Sequence, residues 1–315
     1  MLQSPALNQH LLGRLRINPS IIRRNVNGWL FVSPWMIGFL ALTLFPMLSS
    51  LYYSFTDYNI IQAPRWLGLN NYIDLVTKDP LFWISVRNTA YYVIFFVPIN
   101  ITLSVFIAIL LNKRVRGRAF FRTAVFLPSI VPEIVTGLLW FWMLNPQFGF
   151  ANSFLNFLGL PSIGWLTNPL WSKPSLILVG LWGLGGSMVI YLAALQDIPD
   201  HLYEAAEIDG AGELAKTRHI TLPLLTPTIF FNLVLGIINA FQIFTSAFII
   251  SKGSGGPVDS TLFYSLLLYR NAFAYLKMGY ASAMAWLLFL LVLVITLVVF
   301  RTSGRWVFYS GDSDS

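Results

Sequence analysis

Residues 278–300 have the sequence MGYASAMAWLLFLLVLVITLVVF, which contains no charged side chain. A helix of about 20 apolar residues crosses the hydrocarbon core of a bilayer, so this stretch is long enough to span one. The whole chain has the same character. Of its 315 residues, 56% are hydrophobic and only 10% are charged, against about 25% charged in a typical soluble domain. An ordinary soluble protein is therefore excluded, and the bilayer is the expected solvent.

Five further stretches are apolar over a similar length. With the first, they predict an all-α integral membrane protein with six transmembrane helices at 29–54, 89–111, 121–144, 175–195, 224–250 and 278–300. Helices are expected because backbone N–H and C=O groups find no water partner in hydrocarbon. The stretch at 29–54 exceeds the apolar length of a signal peptide, so we expect an uncleaved anchor there.

The Lys and Arg residues are unevenly distributed between the two sides that six spans create. Of the 20 in the chain, 13 fall on the side that holds both termini and 7 on the other. Because cytoplasmic connections are richer in Lys and Arg, both termini are predicted to be cytoplasmic. This divides the chain into a cytoplasmic amphipathic segment at 1–27, a six-span domain at 28–301 and a cytoplasmic tail at 302–315. Topology explains the net charge of +7, so we expect no nucleic-acid partner.

Acidic residues are concentrated in the predicted cytoplasmic connection at residues 196–222, called the acidic segment below. Six of the chain's 13 acids lie there, namely Asp197, Asp200, Glu204, Glu207, Asp209 and Glu213. Pro199 favours a helix start, and Gly210 favours a helix end because glycine adopts the left-handed conformation. A second short helix is expected at 213–219, before Pro223 opens the fifth span. The pattern fits either a solvated linker or a docking element for a cytoplasmic partner.

The acidic segment carries a motif that resembles the EAA motif of ABC importer permeases. The matching residues, in order and spacing, are Glu204, Ala205, Ala206, Gly210, Ile220, Leu222 and Pro223. In that family the loop forms coupling helices that sit in a cleft of the ATPase subunit. The resemblance implies that Glu204 pairs with a basic ATPase residue and that Gly210, next to Asp209, allows the turn. Thr217 departs from the family, which often has phenylalanine there.

Further short motifs extend the resemblance over about residues 28–301. They lie at 88–89, 121–123, 126–128, 145–149, 164–166, 255–257, 269–273 and 278–283. The set is similar to the carbohydrate-uptake branch that contains the maltose-transporter and glycerol-3-phosphate permeases. It implies a type I ABC importer permease fold in a bacterial or archaeal cytoplasmic membrane, as half of a heterodimeric path.

That resemblance also implies partners. They are a second homologous permease, two ATPase subunits, an extracytoplasmic solute-binding protein and a sugar. The sequence contains no G-x-x-x-x-G-K-[ST] loop, so no cofactor is expected on this chain. ATP and Mg²⁺ are expected on the partner ATPase.

Four polar residues recur along the predicted fifth span. They are Asn232, Asn239, Gln242 and Ser246, at steps of 7, 3 and 4, which place them on one helical face. In a bilayer such a face points inward. Two interpretations stay open. The side chains make interhelical hydrogen bonds, worth about 0.6 kcal/mol each, or they form a polar wall of the substrate path.

The predicted fourth span is rich in glycine and contains Trp182, Leu184 and Ser187. By resemblance to the maltose permease, this region contacts sugar, and these three residues are candidates for the substrate path. The alternative is that the glycines let helices approach closely and that Trp182 fills an interface.

Glu133 is the only acid well inside a predicted span. A charge at the bilayer centre costs about 2.5–3.5 kcal/mol, so we expect this carboxyl group to be protonated, paired or facing a cavity. No Lys or Arg lies deep in a predicted span. This favours a neutral sugar as substrate and leaves a polyol or glycerol phosphate as the alternative.

The sequence does not predict an enzyme. His10, His201 and His219 lie outside the spans and form no catalytic or metal-binding pattern, and the chain has no cysteine. ATP hydrolysis is expected on the partner ATPase. A self-contained secondary transporter is the remaining alternative, but it would leave the acidic segment unexplained.

Overall fold

A computed structural model describes residues 19–113 and 116–308. Of the predicted segment 1–27, residues 1–18 lie outside the described residues. Of the predicted tail 302–315, residues 309–315 lie outside them.

Helices make up most of the described chain. They are α1 Pro19–Phe39, α2 Phe45–Ser54, α3 Asn70–Thr77, α4 Pro80–Asn112, α5 Arg118–Phe126, α6 Glu133–Met143, α7 Phe150–Phe157, α8 Pro169–Leu181, α9 Gly185–Gln196, α10 Asp200–Ile208, α11 Glu213–Lys216, α12 Leu222–Phe241, α13 Thr245–Ser251, α14 Tyr264–Tyr269 and α15 Met278–Ser303. Three π-helices, Leu40–Leu44, Thr217–Thr221 and Arg270–Ala274, and the 3₁₀ helix Leu127–Ile130 join some of them. Strands β1 Thr56–Asp57 and β2 Arg65–Trp66 pair antiparallel.

Four helical stretches in the described chain are long and apolar enough to cross a membrane. They are Gly28–Ser54, Pro80–Asn112, Glu213–Ser251 and Met278–Ser303. Two further candidates are bent pairs. Arg118–Ile130 and Glu133–Met143 meet at 101°, and Pro169–Leu181 and Gly185–Gln196 meet at 47°. The predicted third and fourth spans are therefore not straight helices. Proline before α6 and glycine around the start of α9 explain why the helices bend there.

The described chain divides into two compact units, and the boundary between them lies between Tyr52 and Tyr53. In the first, α1, the π-helix Leu40–Leu44 and most of α2 run without interruption, and Pro34 lies inside α1. The π-helix is a local widening of the backbone. The second unit contains the remaining elements, including both bent pairs.

Helix α4 runs through the middle of the second unit and packs against α8, α9, α12 and α14. Asp79 caps its start, because one carboxylate oxygen accepts a hydrogen bond from the backbone N–H of Leu81 at 2.9 Å. Tyr92 and Val97 belong to a hydrophobic cluster built with α8, α12, α14 and α15. Ala108 belongs to a second cluster, built with α9 and the start of α12. Helix α4 thus connects both halves of the core.

The backbones of α5 and α9 approach each other closely at Gly185. A Cβ atom there would overlap the carbonyl oxygen of Val125 and lie 2.7 Å from Cα of Phe126. The approach requires glycine, which has no side chain. The neighbouring Gly186 has more room, since a Cβ atom on it would be 3.9 Å from Cβ of Ser129.

We predict that Gly185→Ala destabilises the folded chain by about 1–3 kcal/mol, because the two backbones must separate to admit a methyl group. The thermal unfolding midpoint of the purified chain in detergent measures the effect. Gly186→Ala is the matched control and should leave the midpoint unchanged or raise it, since alanine is the better helix former. Equal midpoints for the two variants would contradict the close approach.

Candidate functional site

Three apolar segments are interrupted around one space in the fold. The 3₁₀ helix Leu127–Ile130 ends before α6 at Val131 and Pro132, α8 ends before α9 at residues 182–184, and α12 ends before α13 at residues 242–244. Together the interruptions border a cavity of about 510 Å³. Helix ends expose N–H and C=O groups that lack helical partners, so the breaks make this space polar.

Polar side chains from several helices line this cavity. They are Tyr92, Ser129, Glu133, Thr136, Asn239, Gln242, Thr245 and Ser246. The rings of Phe96, Trp182 and Phe244 add apolar surface. Among the described residues, no Lys or Arg lines the cavity, and no group of three His, Cys, Asp or Glu side chains could hold a metal ion. Such a lining suits an uncharged ligand with both hydroxyl groups and apolar C–H surface.

Glu133 is held at the wall of this cavity by a contact between two short helices. It lies in the first turn of α6, where the helix dipole favours a negative charge. The hydroxyl group of Ser246, in α13, donates a hydrogen bond to Oε1 of Glu133 at 3.0 Å. The helices pack closely because Gly137 has no side chain, and a Cβ atom there would lie 3.1 Å from Cδ1 of Ile249. Glu133 therefore faces a cavity and accepts a hydrogen bond.

A second cavity, of about 350 Å³, adjoins the first. Four residues line both, namely Phe96, Gly180, Gly183 and Asn239. Asn100, Ser187 and Asn232 add polar groups to the second cavity. The amide nitrogen of Asn232 donates to the carbonyl oxygen of Thr228 at 2.9 Å. The polar lining thus extends along α12 for two helical turns, from Asn239 to Asn232.

The structure brings together most residues predicted for the substrate path. Glu133, Trp182, Asn239, Gln242 and Ser246 line the larger cavity, and Ser187 lines the smaller one. Leu184 lines neither. Its carbonyl oxygen accepts a hydrogen bond from Ser104 at 3.4 Å, and its side chain packs on the cluster around Met188.

The predicted single face from Asn232 to Ser246 is interrupted. Helix α12 ends at Phe241, and Phe244 has φ −140° and ψ −62°, outside the helical region. Ser246 therefore belongs to a separate helix, although it still faces the cavity that Asn239 lines. Periodicity alone could not locate this break.

The sequence analysis missed several lining residues, and Thr136, Asn100 and Tyr92 show how different their signals are. Thr136 follows Glu133 by three residues, so helical spacing could have identified it. Asn100 is an isolated amide in an apolar stretch, which is a weaker signal. No sequence pattern distinguishes Tyr92, because tyrosine occurs commonly both in protein cores and at membrane interfaces.

The acidic segment forms two short helices, as predicted, but the second continues into the long helix that follows. Helix α10 starts after Pro199 and ends before Gly210, whose φ of +78° is left-handed. Helix α11, the π-helix Thr217–Thr221 and α12 then follow without a break. Helix α12 begins at Leu222 with Pro223 in its first turn, close to the predicted start, although no break separates it from α11. The wider π turn accommodates this proline, which has no N–H group to donate.

One ion pair joins the two short helices of the acidic segment to each other, a second lies within α11, and a third attaches the segment to the end of α4. The Nζ atom of Lys216 lies 2.6 Å from a carboxylate oxygen of Glu207 and 3.0 Å from one of Glu213. The other oxygen of Glu213 lies 3.0 Å from Nζ of Lys113, which follows α4. The side chain of Lys216 is mostly covered, but both acids are exposed to solvent, so each pair contributes little stability. They do show that two of the six acids are used within the chain.

Other residues of the acidic segment form an exposed surface that is both acidic and apolar. Glu204 is exposed and makes no ion pair with another described residue. Ile208 is 87% exposed and Leu214 is 82% exposed. Large apolar side chains that are open on a helical element are typical of an interaction site rather than of a solvated linker.

The remaining predicted coupling residues surround this surface. Ala205, Asp209, Gly210 and Leu222 are exposed, and Ala206, Ile220 and Pro223 are partly buried. Ile220 packs on the cluster that contains Leu225 and therefore anchors the segment to α12.

We predict that Ser246→Ala lowers the stability of the chain by about 1 kcal/mol, because Glu133 loses a hydrogen-bond donor. Thermal unfolding of the purified protein measures the change. Thr245→Val is the matched control. Thr245 lines the same cavity, and its hydroxyl makes no hydrogen bond with another described residue. A Ser246→Ala variant as stable as this control would contradict the role of the hydrogen bond.

Comparisons with known proteins agree with this architecture. Residues 100–306 match the family described as binding-protein-dependent transport system inner membrane component. Over 297 residues the chain is 45% identical to the probable ABC transporter permease protein YesP of Bacillus subtilis (strain 168), covering 94% of this chain and 96% of that protein. Over 282 residues it is 34% identical to the lactose transport system permease protein LacF of Rhizobium radiobacter, covering 88% and 93%.

A solved structure has a similar fold. It is a chain of a bacterial alginate ABC transporter, crystallised in complex with an alginate pentasaccharide-bound periplasmic protein. The TM-score is 0.81 at 25% identity, and the match covers 91% of this chain and 96% of that one. The family match includes both the acidic segment and most of the cavity lining. This chain therefore belongs to the family of inner-membrane components of binding-protein-dependent transport systems, as the permease of an ABC transporter.

Proposed function

We propose that this chain imports a neutral sugar or oligosaccharide as one half of a heterodimeric translocation path. The polar cavity at the three helix breaks carries the proposal, since it offers hydroxyl, amide and carboxylate groups and, among the described residues, no cation. Two similar proteins support a saccharide. One is named for lactose transport, and the other belongs to a transporter of the acidic polysaccharide alginate, so only the absence of a cation from the described cavity lining argues for a neutral sugar.

The chemistry of the cavity lining suits a sugar. Sugar hydroxyl groups both donate and accept hydrogen bonds. The carboxylate of Glu133 accepts them, and the amides of Asn239 and Gln242 do both. Trp182 offers an aromatic face to the C–H surface of a sugar ring. A phosphorylated polyol would place its negative charge near Glu133 without a compensating cation, so glycerol phosphate is the less favoured alternative.

The membrane arrangement we propose has six spans and two cytoplasmic termini. Each bent pair, counted as one span, brings the number of candidates to six. An even number of spans returns the chain to its starting side, and the Lys and Arg distribution favours the cytoplasm for that side. The membrane is the cytoplasmic membrane of a bacterium or archaeon.

The proposed complex contains four kinds of component. A second homologous permease completes the path, an extracytoplasmic binding protein delivers the sugar, and two ATPase subunits drive the cycle. ATP and Mg²⁺ bind to the ATPases, and this chain carries no cofactor. The domain division at residues 28–301, with the acidic segment as the coupling element, follows from this arrangement.

The acidic segment is the proposed contact with the ATPase. Glu204 faces a basic residue of that partner, while Ile208 and Leu214 enter apolar contacts, which supply most of the energy in such interfaces. Because α11 continues into α12, a displacement of the acidic segment also displaces the helix that carries Asn239. ATP binding closes the ATPases and opens the path outward. Their resetting releases the sugar inside.

We predict that Gln242→Ala lowers sugar uptake at limiting sugar concentration by about tenfold, the equivalent of one or two hydrogen bonds. Uptake of labelled sugar into vesicles that contain the whole complex is the measurement. Gln62→Ala, at an exposed glutamine outside both cavities, is the control and should transport like the unaltered protein. Normal uptake by Gln242→Ala would argue against the cavity as the path.

We predict that Glu204→Lys prevents stable binding of the ATPase, because the new positive charge faces a basic site of the partner and is repelled by it. Affinity purification of the tagged chain from its native membrane measures this. The unaltered chain should recover a second six-span protein and an ATPase. Asp57→Lys, in the β1–β2 pair, is the charge-matched control and should recover both. Purification of the unaltered chain alone, with transport independent of ATP, would instead indicate a secondary transporter.

A further inference from the structure

The connection between α4 and α5 carries a basic surface that the proposed path does not use. Its described cations are Lys113, Arg116, Arg118 and Arg122. No Asp or Glu occurs anywhere from residue 80 to residue 132. The acids that could balance these charges must therefore come from elsewhere in the chain or from another molecule.

Two of the four cations are used within the chain. Lys113 pairs with Glu213 of the acidic segment at 3.0 Å. Arg122 donates through Nη2 and Nε to the carbonyl oxygen of Leu111 at 2.8 Å and 3.3 Å. The two bonds from Arg122 join α5 to the last turn of α4, so the orientation of α5 is defined.

The other two cations, Arg116 and Arg118, are exposed. Neither makes a hydrogen bond or an ion pair with another residue that the structure describes. Because Arg118 opens α5, which Arg122 holds in place, its position relative to α4 is set. Within the described part of the chain, nothing competes with an external anion for these two guanidinium groups.

An exposed apolar surface follows directly after these arginines. Phe120 is 71% exposed and Phe121 is 51% exposed, and their rings meet edge to face at 5.6 Å. The exposed apolar surface continues through Leu127 to Ile130. Helix α5 rises about 1.5 Å per residue and the 3₁₀ helix Leu127–Ile130 about 2.0 Å per residue, so the contour from Arg118 to Ile130 is about 20 Å. One leaflet is about 15 Å thick, so the surface is long enough for an acyl chain to lie along it.

We propose that Arg116 and Arg118 bind the phosphate group of an anionic phospholipid, whose acyl chain lies along Phe120, Leu127 and Ile130. Guanidinium groups bind phosphate through paired hydrogen bonds, and basic residues at a membrane surface attract anionic lipid. An acidic protein surface would satisfy the arginines but not the apolar surface beyond them. The lipid satisfies both, and its binding is independent of the transported sugar.

Native mass spectrometry of the detergent-purified complex tests this site, with phosphatidylglycerol or phosphatidylcholine added back. The double variant Arg116→Gln and Arg118→Gln should bind phosphatidylglycerol at least about tenfold more weakly, with no change for phosphatidylcholine. Arg301→Gln with Arg305→Gln, at two exposed arginines near the end of α15, is the charge-matched control and should bind like the unaltered complex. Arg116→Lys with Arg118→Lys keeps both charges and should retain most of the binding.

Phe120→Gln provides a second test that leaves both arginines in place, and it should also weaken phosphatidylglycerol binding. Four results would overturn the proposal. The first is unchanged lipid binding in the Arg116 and Arg118 glutamine variant, and the second is an equal loss of binding in the Arg301 and Arg305 control. The third is displacement of the lipid by inorganic phosphate at the same concentration. The fourth is a glutamine variant that loses the ATPase while its lipid binding stays intact. The third result would indicate a free-anion site, and the fourth a protein contact.

Discussion

Every backbone N–H and C=O group inside a bilayer needs a hydrogen-bond partner, and this constraint determines where helices can break. In the described chain, three breaks border one cavity, between the 3₁₀ helix and α6, between α8 and α9, and between α12 and α13. Each break leaves polar backbone ends that hydrocarbon would not tolerate. Grouping them supplies a shared polar space, and the side chains around it extend that polarity. The polar cavity is therefore a direct consequence of where the three helices break.

The position of Glu133 follows from the same constraint. A carboxylate costs about 2.5–3.5 kcal/mol at the centre of a bilayer unless it is paired or faces a polar space. Here it lies at the start of α6, accepts a hydrogen bond from Ser246 and borders the cavity. The carboxylate of Glu133 is the group that is hardest to bury, and it determines the electrostatic character of the cavity. A ligand that donates hydrogen bonds is therefore favoured over an anionic ligand.

Some side chains of the acidic segment pair with residues of the same chain, and others are exposed. Glu207 and Glu213 pair with lysines of the chain itself, whereas Glu204, Ile208 and Leu214 face outward. The pairing accounts for two of the six acids of the segment, because Glu207 and Glu213 neutralise Lys216 and Lys113. The π turn joins α11 to α12 without an intervening loop. A force applied to the exposed surface of the acidic segment therefore acts on the helix that carries Asn239.

The sequence by itself determined that the bilayer is the solvent, where most apolar stretches lie, and that the acidic segment holds two short helices. It also predicted the family, which the comparisons confirmed. Only the tertiary structure decided where the helices bend and which polar residues meet. Helical spacing placed Gln242 and Ser246 on one continuous face, but the break at residues 242–244 puts Ser246 on a separate helix. The contact of Ser246 with Glu133 joins residues 113 positions apart. Local periodicity carries no information about such a contact, because it depends on how distant helices pack.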